Sequence, residues 1–307
     1  MIVIVNIGTS SIINDKLPEE NIERLVNDIV DLKKEGHDVL LVTSGAVGFG
    51  KQIKLSNQNE TNTTQLKRIQ SSIGQSILIH EYNKAFQKHD IICSQVLITK
   101  SDLKNEQQSK SVINLLKQTL KNKNIVPIIN ENDAIANTKN QFIDNDELSG
   151  ILAFELKADK LIILTNVEGV YEDLEKKNVI EKIDIHQNFP LIGKQKSEHG
   201  RGGMYQKLNI AKKLAHNGIE TMILSSEKSN ILYNSLHLKD YRHGTRVVCE
   251  KPKKSKTNPI IKQFKNQFRK IKILTKINDN KKQKLKTCYV YDENNQIVGI
   301  LESAIRK

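Results

Sequence analysis

The chain has 307 residues and a formal net charge of +13, from 48 Lys and Arg against 35 Asp and Glu. Residues 251–307 hold 16 basic and 4 acidic residues, so the first 250 residues are almost neutral. No stretch approaches the roughly 18 apolar residues of a membrane span, and nothing near Met1 resembles a signal peptide. The three cysteines, Cys93, Cys249 and Cys288, are far apart, which favours reduced buried thiols over a disulfide or zinc site. These features predict a cytoplasmic protein without a membrane segment.

Short apolar runs alternate with amphipathic stretches along the neutral part of the chain. The first strand is predicted at Met1–Ile7 and the first helix at Asn21–Lys34, from β-branched content and helical spacing respectively. The remaining predicted elements are, in order, strand Val39–Val42, helix Thr64–Gln87, strand Ile91–Ile98, helix Val112–Lys121, strand Ile125–Ile129, helix Glu147–Leu156, strand Leu161–Thr165, helix Met204–His216 and strand Ile219–Leu224. This order predicts an α/β protein with a mostly parallel central sheet covered on both faces, in three α/β/α layers.

The composition changes after a last strand-like run at Val247–Cys249. Residues Lys251–Asn258 are rich in lysine and carry a proline, which predicts a linker. Beyond them, Thr287–Tyr291 and Gln296–Leu301 flank the turn-forming residues 292–295, a pattern typical of a hairpin. We therefore predict a main domain of residues 1–250 and a short basic extension of residues 251–307.

Ligands of parallel α/β sheets bind beyond the carboxyl ends of the strands, and two loops there carry glycine and hydroxyl groups. Gly8-Thr9-Ser10-Ser11 follows the first strand, and Thr43-Ser44-Gly45-Ala46-Val47-Gly48 follows the second. Backbone N–H groups in such loops can hold a phosphate. Each loop alone is more typical of an ordinary turn, but together they predict one anion site.

A third segment concentrates carboxylates and amides after strand Ile125–Ile129. Asn130, Asp133 and Asn145 have the groups needed to bind an amine and a carboxylate together. Asp144 and Asp146 have the groups needed to orient a lysine or a magnesium ion. The alternative is a solvated turn rich in Asn and Asp.

The fourth segment, Gly200–Lys207, places three glycines before a predicted helix. Glycines at a helix N-terminus favour anion binding, and Lys207 falls one turn inside the helix, within reach of a phosphoryl oxygen. The segment is neither a Walker A motif nor a GxGxxG fingerprint. An ordinary pair of helix caps is the alternative.

Taken in order, the motifs GTSS, VTSGAVGFG, PIINENDAIA, DNDELSGILA, LTNVEGVY and GRGGMYQKL resemble the glutamate 5-kinase family, which has the amino-acid kinase fold. The resemblance runs from Met1 to about Glu250. It implies transfer of the γ-phosphoryl group of ATP to the side-chain carboxylate of L-glutamate, the first step of proline biosynthesis. It also implies ATP and Mg²⁺ as cofactors, with the ion bound mainly through ATP, proline as a feedback inhibitor, and a homo-oligomer of two or four chains.

The resemblance also implies roles for individual residues. The expected catalytic residues are Lys207, Asp144, Asp146 and Gly8. The expected glutamate-binding residues are Ser44, Gly45, Asn130, Asp133 and Asn145. The expected ATP-binding residues are Asn6, Thr165, Asn166, Arg201, Gly202, Gly203, Met204, Tyr205, Gln206 and Lys207.

Four positions depart from the family pattern. Asn6 stands where the first strand ordinarily ends in a phosphate-binding lysine, Asn166 replaces an aspartate, and Arg201 replaces a threonine. Glu172-Asp173-Leu174 replaces a small residue followed by Asp-Pro. Two interpretations follow. Either Arg201 supplies the cation that Asn6 lacks, in a working but slower kinase, or the protein binds glutamate or proline in a regulatory role without efficient phosphorylation.

The basic extension suggests a further alternative, because many bacterial members of the family carry a PUA domain, a module known for RNA binding. Residues 251–307 are fewer than that module usually needs, although the hairpin could be a remnant of one. Only four aromatic residues, Phe264, Phe268, Tyr289 and Tyr291, offer stacking surfaces for RNA. We favour a solvated lysine-rich extension over nucleic-acid binding.

Overall fold

The computed structural model describes residues 1–14, 17–54, 62–136, 142, 144–173, 178–186, 203–238, 244–250, 286–291 and 297–303. The chain divides into two units, Met1–Lys254 and Ser255–Lys307. The assignment of residues 1–250 to a catalytic domain and 251–307 to an extension stays a prediction.

An eight-stranded sheet forms the centre of the first unit, in the order β3-β4-β2-β1-β5-β9-β10-β8. Its strands are β1 Ile2–Ile7, β2 Asp38–Val42, β3 Ile92–Ile98, β4 Ile125–Glu131, β5 Lys160–Thr165, β8 Lys182–Asp184, β9 Glu220–Ser225 and β10 Gly244–Val248. The paired strands run parallel, except that β10 runs antiparallel to β9. The prediction of a mostly parallel α/β sheet is confirmed.

The first strand lies in the middle of this sheet, between β2 and β5. Val3, Ile4 and Val5 are completely buried, because helices cover both faces of the central strands. The side chains of β3 are less buried than those of the central strands. That strand lies at the edge of the sheet, where Ile92 is 55% exposed and Leu97 is 37% exposed.

Helices connect the strands in the alternation that the sequence predicts. They are α1 Thr9–Ile12, α2 Pro18–Lys34, α3 Ala46–Lys51, α4 Thr63–Gln87, α5 Lys100–Lys104, α6 Glu106–Leu120, α7 Asn145–Leu156, α8 Gly203–Ala215 and α9 Ile231–Tyr233. A π-helical turn, Asn234–Leu238, follows α9. The predicted start of α6 at Val112 is wrong, because Asn105 caps the helix by accepting hydrogen bonds from the backbone N–H groups of Gln107 and Gln108.

Helices α3 and α4 pack with their backbones in direct contact. A Cβ atom on Gly74 of α4 would lie 1.8 Å from the carbonyl oxygen of Ala46, and one on Gly50 of α3 would lie 1.8 Å from that of Gln70. Only glycine permits such an approach at either position. The contact fixes α4 against the loop that follows β2.

Several short elements have no counterpart in the sequence prediction. The strands β6 Tyr171–Asp173 and β7 Asn178–Val179 form a small antiparallel hairpin, and β8 extends the main sheet beyond β10. Runs of two or three residues carry too little periodicity to be recognised. Cys93 and Cys249 are free thiols, as predicted, but they are only partly buried.

In the second unit, β11 Lys286–Tyr291 and β12 Ile297–Ser303 pair antiparallel. That residues 251–307 form a linker and a short hairpin extension stays a prediction. The predicted linker Lys251–Asn258, the turn at 292–295, Phe264 and Phe268 lie outside the described residues. None of the described helices combines the length and apolar character that crossing a bilayer requires.

Candidate functional site

A cleft of about 730 Å³ lies at the carboxyl ends of β1, β2, β4 and β5. The N-termini of α7 and α8 complete it. It is lined by Asn6, Gly8, Thr9, Ser10, Ser44, Gly45, Ala46, Val47, Gly48, Lys51, Asn130, Glu131, Asp133, Asp144, Asn145, Asp146, Thr165, Asn166, Val167, Gly203, Met204 and Lys207. The structure thus brings residues of all four predicted loops into one cavity.

Asp146 links three elements at the floor of this cleft. It is 5% exposed and lies in the first turn of α7. One carboxylate oxygen accepts a hydrogen bond of 2.6 Å from the Asn6 amide at the end of β1, and the other forms an ion pair of 2.7 Å with the Lys207 ammonium on α8. A single lysine and a neutral amide therefore share this buried carboxylate.

Asp144 begins helix α7 as its N-cap residue, with Oδ1 accepting a hydrogen bond of 3.0 Å from the backbone N–H of Glu147. Its Oδ2 atom is buried and has no partner among the described residues. Burial, and then the nearby charge of Asp146, raise the pKa of Asp144 to about 6. Asp144 therefore presents a free oxygen at the edge of a strongly acidic region.

A chain of amide side chains joins the ends of β2 and β4. The Asn145 Nδ2 atom donates to the Thr43 carbonyl at 2.6 Å, to Ser44 Oγ at 2.7 Å and to Asn130 Oδ1 at 3.0 Å. The Asn145 Oδ1 atom is buried and has no partner among the described residues. A buried acceptor left without a donor is costly, so this oxygen marks a position for a donor group of a ligand.

The glycine loops occupy the entrance between β1 and β2. Gly8 precedes α1, and a Cβ built on it would have no atom within 4 Å, so the backbone there faces open space. Gly45 adopts a left-handed conformation with φ of 107° immediately before α3. Residues of both loops line the cleft, and their role as an anion site stays a prediction.

The opposite side of the cleft holds the predicted nucleotide residues. Thr165 ends β5 and Asn166 follows it, and Gly203, Met204 and Lys207 lie in the first two turns of α8. Tyr205 and Gln206 lie on α8 but do not line the cleft, and their ATP-binding role stays a prediction. Arg201, Gly202 and Leu174 lie outside the described residues, so whether Arg201 replaces the missing lysine also stays a prediction.

Lys51 and Glu131 line the cleft but are absent from the predicted site. Lys51 ends α3, three residues beyond the predicted loop, and it has no partner among the described residues. Glu131 is 7% exposed and accepts a hydrogen bond of 2.9 Å from the backbone N–H of Phe142. The unexpectedly long β4, which reaches Glu131, places that residue in the site.

An ion pair outside the predicted set braces the start of α7. The Lys100 ammonium lies 2.7 Å from Glu147 Oε1 and 5.8 Å from the centre of the Phe142 ring. Glu147 adjoins Asp146 in the first turn of α7, and Phe142 is buried. The pair therefore holds the segment that carries Asp144 and Asp146 against α5. The sequence does carry a signal for the start of α5, where Lys100 lies, because Thr99 and Asp102 form a capping box.

Comparisons with known proteins agree with this arrangement. Residues 1–225 match the model of the amino acid kinase family. Glutamate 5-kinase from Chlorobaculum tepidum is 40% identical over 83% of this chain and 71% of its own length. Glutamate 5-kinase from Clostridium perfringens is 36% identical over 81% of this chain and 96% of its own, and glutamate 5-kinase 2 from Bacillus licheniformis is 38% identical over 76% and 64%.

Among solved structures, the carbamate kinase of Giardia has the same fold. It superposes with a TM-score of 0.58 at 18% sequence identity, covering 81% of this chain and 99% of that one. The same enzyme bound to AMP-PNP also gives a TM-score of 0.58.

Proposed function

This chain belongs to the amino acid kinase family, and we propose that it transfers the γ-phosphoryl group of ATP to the side-chain carboxylate of L-glutamate, forming L-glutamyl 5-phosphate. The observation that carries the proposal is the meeting of two different sets of groups in one cleft. The Asp146–Lys207 ion pair lies beside the start of α8, and the Asn130–Asn145–Ser44 amide cluster lies beside α3. One set suits a phosphoryl group and the other suits an amino acid.

The chemistry requires no general base. A glutamate side chain has a pKa of about 4.3 and is already ionised at neutral pH. The barrier comes from bringing this anion to the γ-phosphate, so the protein must supply alignment and positive charge. Lys207 on α8 and the backbone N–H groups after β1 supply that charge within the cleft.

The amide cluster supports recognition of the amino-acid end of the substrate. Asn145 directs its Nδ2 atom towards the protein and leaves Oδ1 as an unused acceptor. An α-ammonium group is the donor that satisfies it, and the carboxylate of Asp133 in the same cleft adds a complementary charge. This arrangement orients glutamate with its side chain towards the phosphate side.

Magnesium accompanies ATP in this proposal, and the residues present fit it. The ion prefers carboxylate and phosphate oxygens and usually keeps several waters, with only one or two protein ligands. Asp144 Oδ2 is a buried carboxylate oxygen without a partner among the described residues, whereas both oxygens of Asp146 are engaged by Asn6 and Lys207. Asp144 and the ATP phosphates are therefore the ligands we assign, and the ion would neutralise phosphate charge.

Three further proposals rest on the family resemblance. We propose that proline inhibits the enzyme as the end product of its pathway, that the chain assembles into a dimer or tetramer, and that it works in the cytoplasm. The free thiols of Cys93 and Cys249 support the last of these, because thiols stay reduced in the cytoplasm.

The function is tested by glutamate-dependent consumption of ATP, with the acyl phosphate trapped as its hydroxamate. We expect hydroxamate only when glutamate, ATP and magnesium are all present, and none with glutarate or aspartate at equal concentration. Calorimetric titration with glutamate is run in parallel. Binding of glutamate without any hydroxamate in a single turnover would contradict the kinase proposal and favour a regulatory binding protein.

A further inference from the structure

We propose that Gln75, on the helix α4 behind the cleft, is a positioning residue that sets the preference of the site for a substrate bearing an α-ammonium group. The proposal deepens the proposed function and rests on it. Gln75 does not line the cleft. It lies on the 25-residue helix α4, outside the sequence motifs that suggest catalysis. It acts through Asn130 and Asn145.

The contact that carries the proposal joins Gln75 to Asn130. The Gln75 side chain is 8% exposed, and its Oε1 atom accepts a hydrogen bond of 2.8 Å from Asn130 Nδ2. Asn130 is 3% exposed, so water cannot replace this acceptor freely. Gln75 therefore holds the amide nitrogen of Asn130 on the side of α4.

Two backbone groups determine how the side-chain amides of Asn130 and Asn145 are oriented, that is, where each places its oxygen and its nitrogen. The backbone N–H of Glu131 can only donate, and it lies 2.9 Å from Asn130 Oδ1. The Thr43 carbonyl can only accept, and it lies 2.6 Å from Asn145 Nδ2. Asn130 Oδ1 therefore accepts from Asn145 Nδ2, and the orientation of both amides is unambiguous.

This orientation determines which atom of Asn145 is available to a ligand in the cleft. Because the Asn145 nitrogen is taken up by Thr43, Ser44 and Asn130, only its Oδ1 atom remains for a ligand. An oxygen at this position accepts from an ammonium group and repels a carboxylate. Without Gln75, the buried Nδ2 atom of Asn130 lacks an acceptor. The Asn130 side chain then shifts to find one, which strains its hydrogen bond to the Glu131 N–H and weakens one of the contacts that hold Asn145.

The packing of α4 explains how a residue outside the cleft reaches this chain. Gly74 immediately precedes Gln75, and its missing side chain lets α4 approach within contact of the Ala46 backbone. One face of the helix therefore lies against the ends of the strands. Two turns along the same face, the Tyr82 hydroxyl makes a second buried hydrogen bond, of 2.8 Å, to Thr43 Oγ1. That bond touches neither Asn130 nor the Asn145 amide.

The test compares the affinities for L-glutamate and for glutarate, which has both carboxylates but lacks the amine. Gln75→Met keeps the length of the side chain and removes the acceptor, whereas Tyr82→Phe removes the other buried hydrogen bond of α4 and serves as the matched control. Binding of each ligand is measured by calorimetry in wild type and both variants. The KM for ATP and the melting temperature are measured alongside.

We expect Gln75→Met to reduce the ratio of glutamate to glutarate affinity by about ten-fold, the effect of one charge-assisted hydrogen bond, with the KM for ATP unchanged. Tyr82→Phe should keep the wild-type ratio even if it lowers the melting temperature. An unchanged ratio in Gln75→Met, or an equal loss of affinity for both ligands, would overturn the proposal and leave a packing role. Because binding is measured directly, the test remains valid if wild type binds glutamate without phosphorylating it, an outcome that contradicts the proposed function alone.

Discussion

Asn6 and Asp146 are joined by a hydrogen bond of 2.6 Å across the floor of the cleft, from the amide nitrogen of one to a carboxylate oxygen of the other. The neutral amide of Asn6 thus occupies a position where a lysine would add a second cation beside Lys207. The remaining Asn6 Oδ1 atom is buried and has no partner among the described residues. The site is therefore assembled around this carboxylate with one positive charge fewer than the family pattern implies.

Restoring that charge should accelerate the chemical step. We expect Asn6→Lys to raise kcat by about 10² without changing the KM for glutamate, since a positioned cation at the transferring phosphoryl group contributes about 10²–10³ in rate. Asn6→Met, which has similar length and no charge, is the control and should not exceed the wild-type rate. Single-turnover formation of hydroxamate measures the step. An equal rate in Asn6→Lys and wild type would show that another group already supplies the charge.

Removing the lysine that pairs with Asp146 should have the opposite effect. We expect Lys207→Met to lower kcat by about 10²–10³, because Lys207 would act on charge that develops during transfer. The KM for glutamate should change little, since the ammonium pairs with Asp146, whereas the amide cluster is held together by Asn145. Lys212→Met, further along the same helix, is the control. A large rise in the glutamate KM with kcat preserved would contradict this role.

Lys51 lies at the entrance of the cleft and has no partner among the described residues. We expect Lys51→Met to raise the KM of an anionic substrate about three- to ten-fold with little effect on kcat, because a partly exposed cation attracts without being engaged in the chemistry. Steady-state kinetics at two salt concentrations should show that the difference shrinks as salt rises. A salt-independent effect on kcat would instead place Lys51 in the transfer step.

The backbone contact of α3 and α4 predicts a strong effect of a single methyl group. Gly74→Ala places a Cβ 1.8 Å from the Ala46 carbonyl oxygen, so α4 must move away. We expect a loss of about 2–4 kcal/mol in the free energy of unfolding. Gly8→Ala is the control for stability, because its φ of −80° suits alanine and the new Cβ would have no atom within 4 Å. Chemical denaturation of both variants measures the difference, and equal stabilities would refute the tight contact.

Asp28 should make stability depend on pH. It is 4% exposed, and burial raises its pKa to about 6 although the backbone N–H groups of Asn230 and Leu232 donate to it. A raised carboxyl pKa means that the folded protein binds an extra proton between about pH 4 and 6. The associated stability is present at the acidic end and is lost as the pH rises through about 6.

The shift corresponds to about 3 kcal/mol over that interval. We expect Asp28→Asn, which cannot titrate, to lose this dependence, so its stability relative to wild type improves as the pH rises from 4 to 7. Denaturation at several pH values measures it. Asp31→Asn removes an exposed carboxylate of the same helix and is the control. Parallel pH curves for Asp28→Asn and wild type would contradict the prediction.

The sequence was informative where local chemistry was strong. Buried β-branched runs such as Val3–Val5 predict the central strands, and glycine or Asn/Asp clusters at strand ends predict the four loops that meet in the cleft. Edge strand β3 was harder to interpret, because its apolar residues suggest burial while its position in the sheet exposes Ile92. The exposure of Ile92 depends on which strands lie beside β3, and local sequence does not identify those neighbours.

The parts of the site that sequence could not supply depend on long-range contacts. Gln75 lies 55 positions from Asn130 along the chain, and Asn6 lies 140 positions from Asp146. A glutamine inside a long helix carries no local sign that it will contact the end of a strand. The sequence shows that Asn6 departs from the family pattern. It does not show the hydrogen bond to Asp146, because that contact depends on how β1 and α7 pack together.

The position of β1 in the middle of the sheet also has a consequence for biosynthesis. During synthesis, β1 gains its second neighbour only when β5 is made, because Val3 pairs with Lys160 and Ile2 bonds to Asp159, 157 residues away. Contacts so distant in sequence form slowly, and an incomplete chain leaves one side of β1 open to unwanted pairing. A pause in translation before β5 would therefore prolong an aggregation-prone intermediate, whereas a pause after β9 would find the central strands already paired.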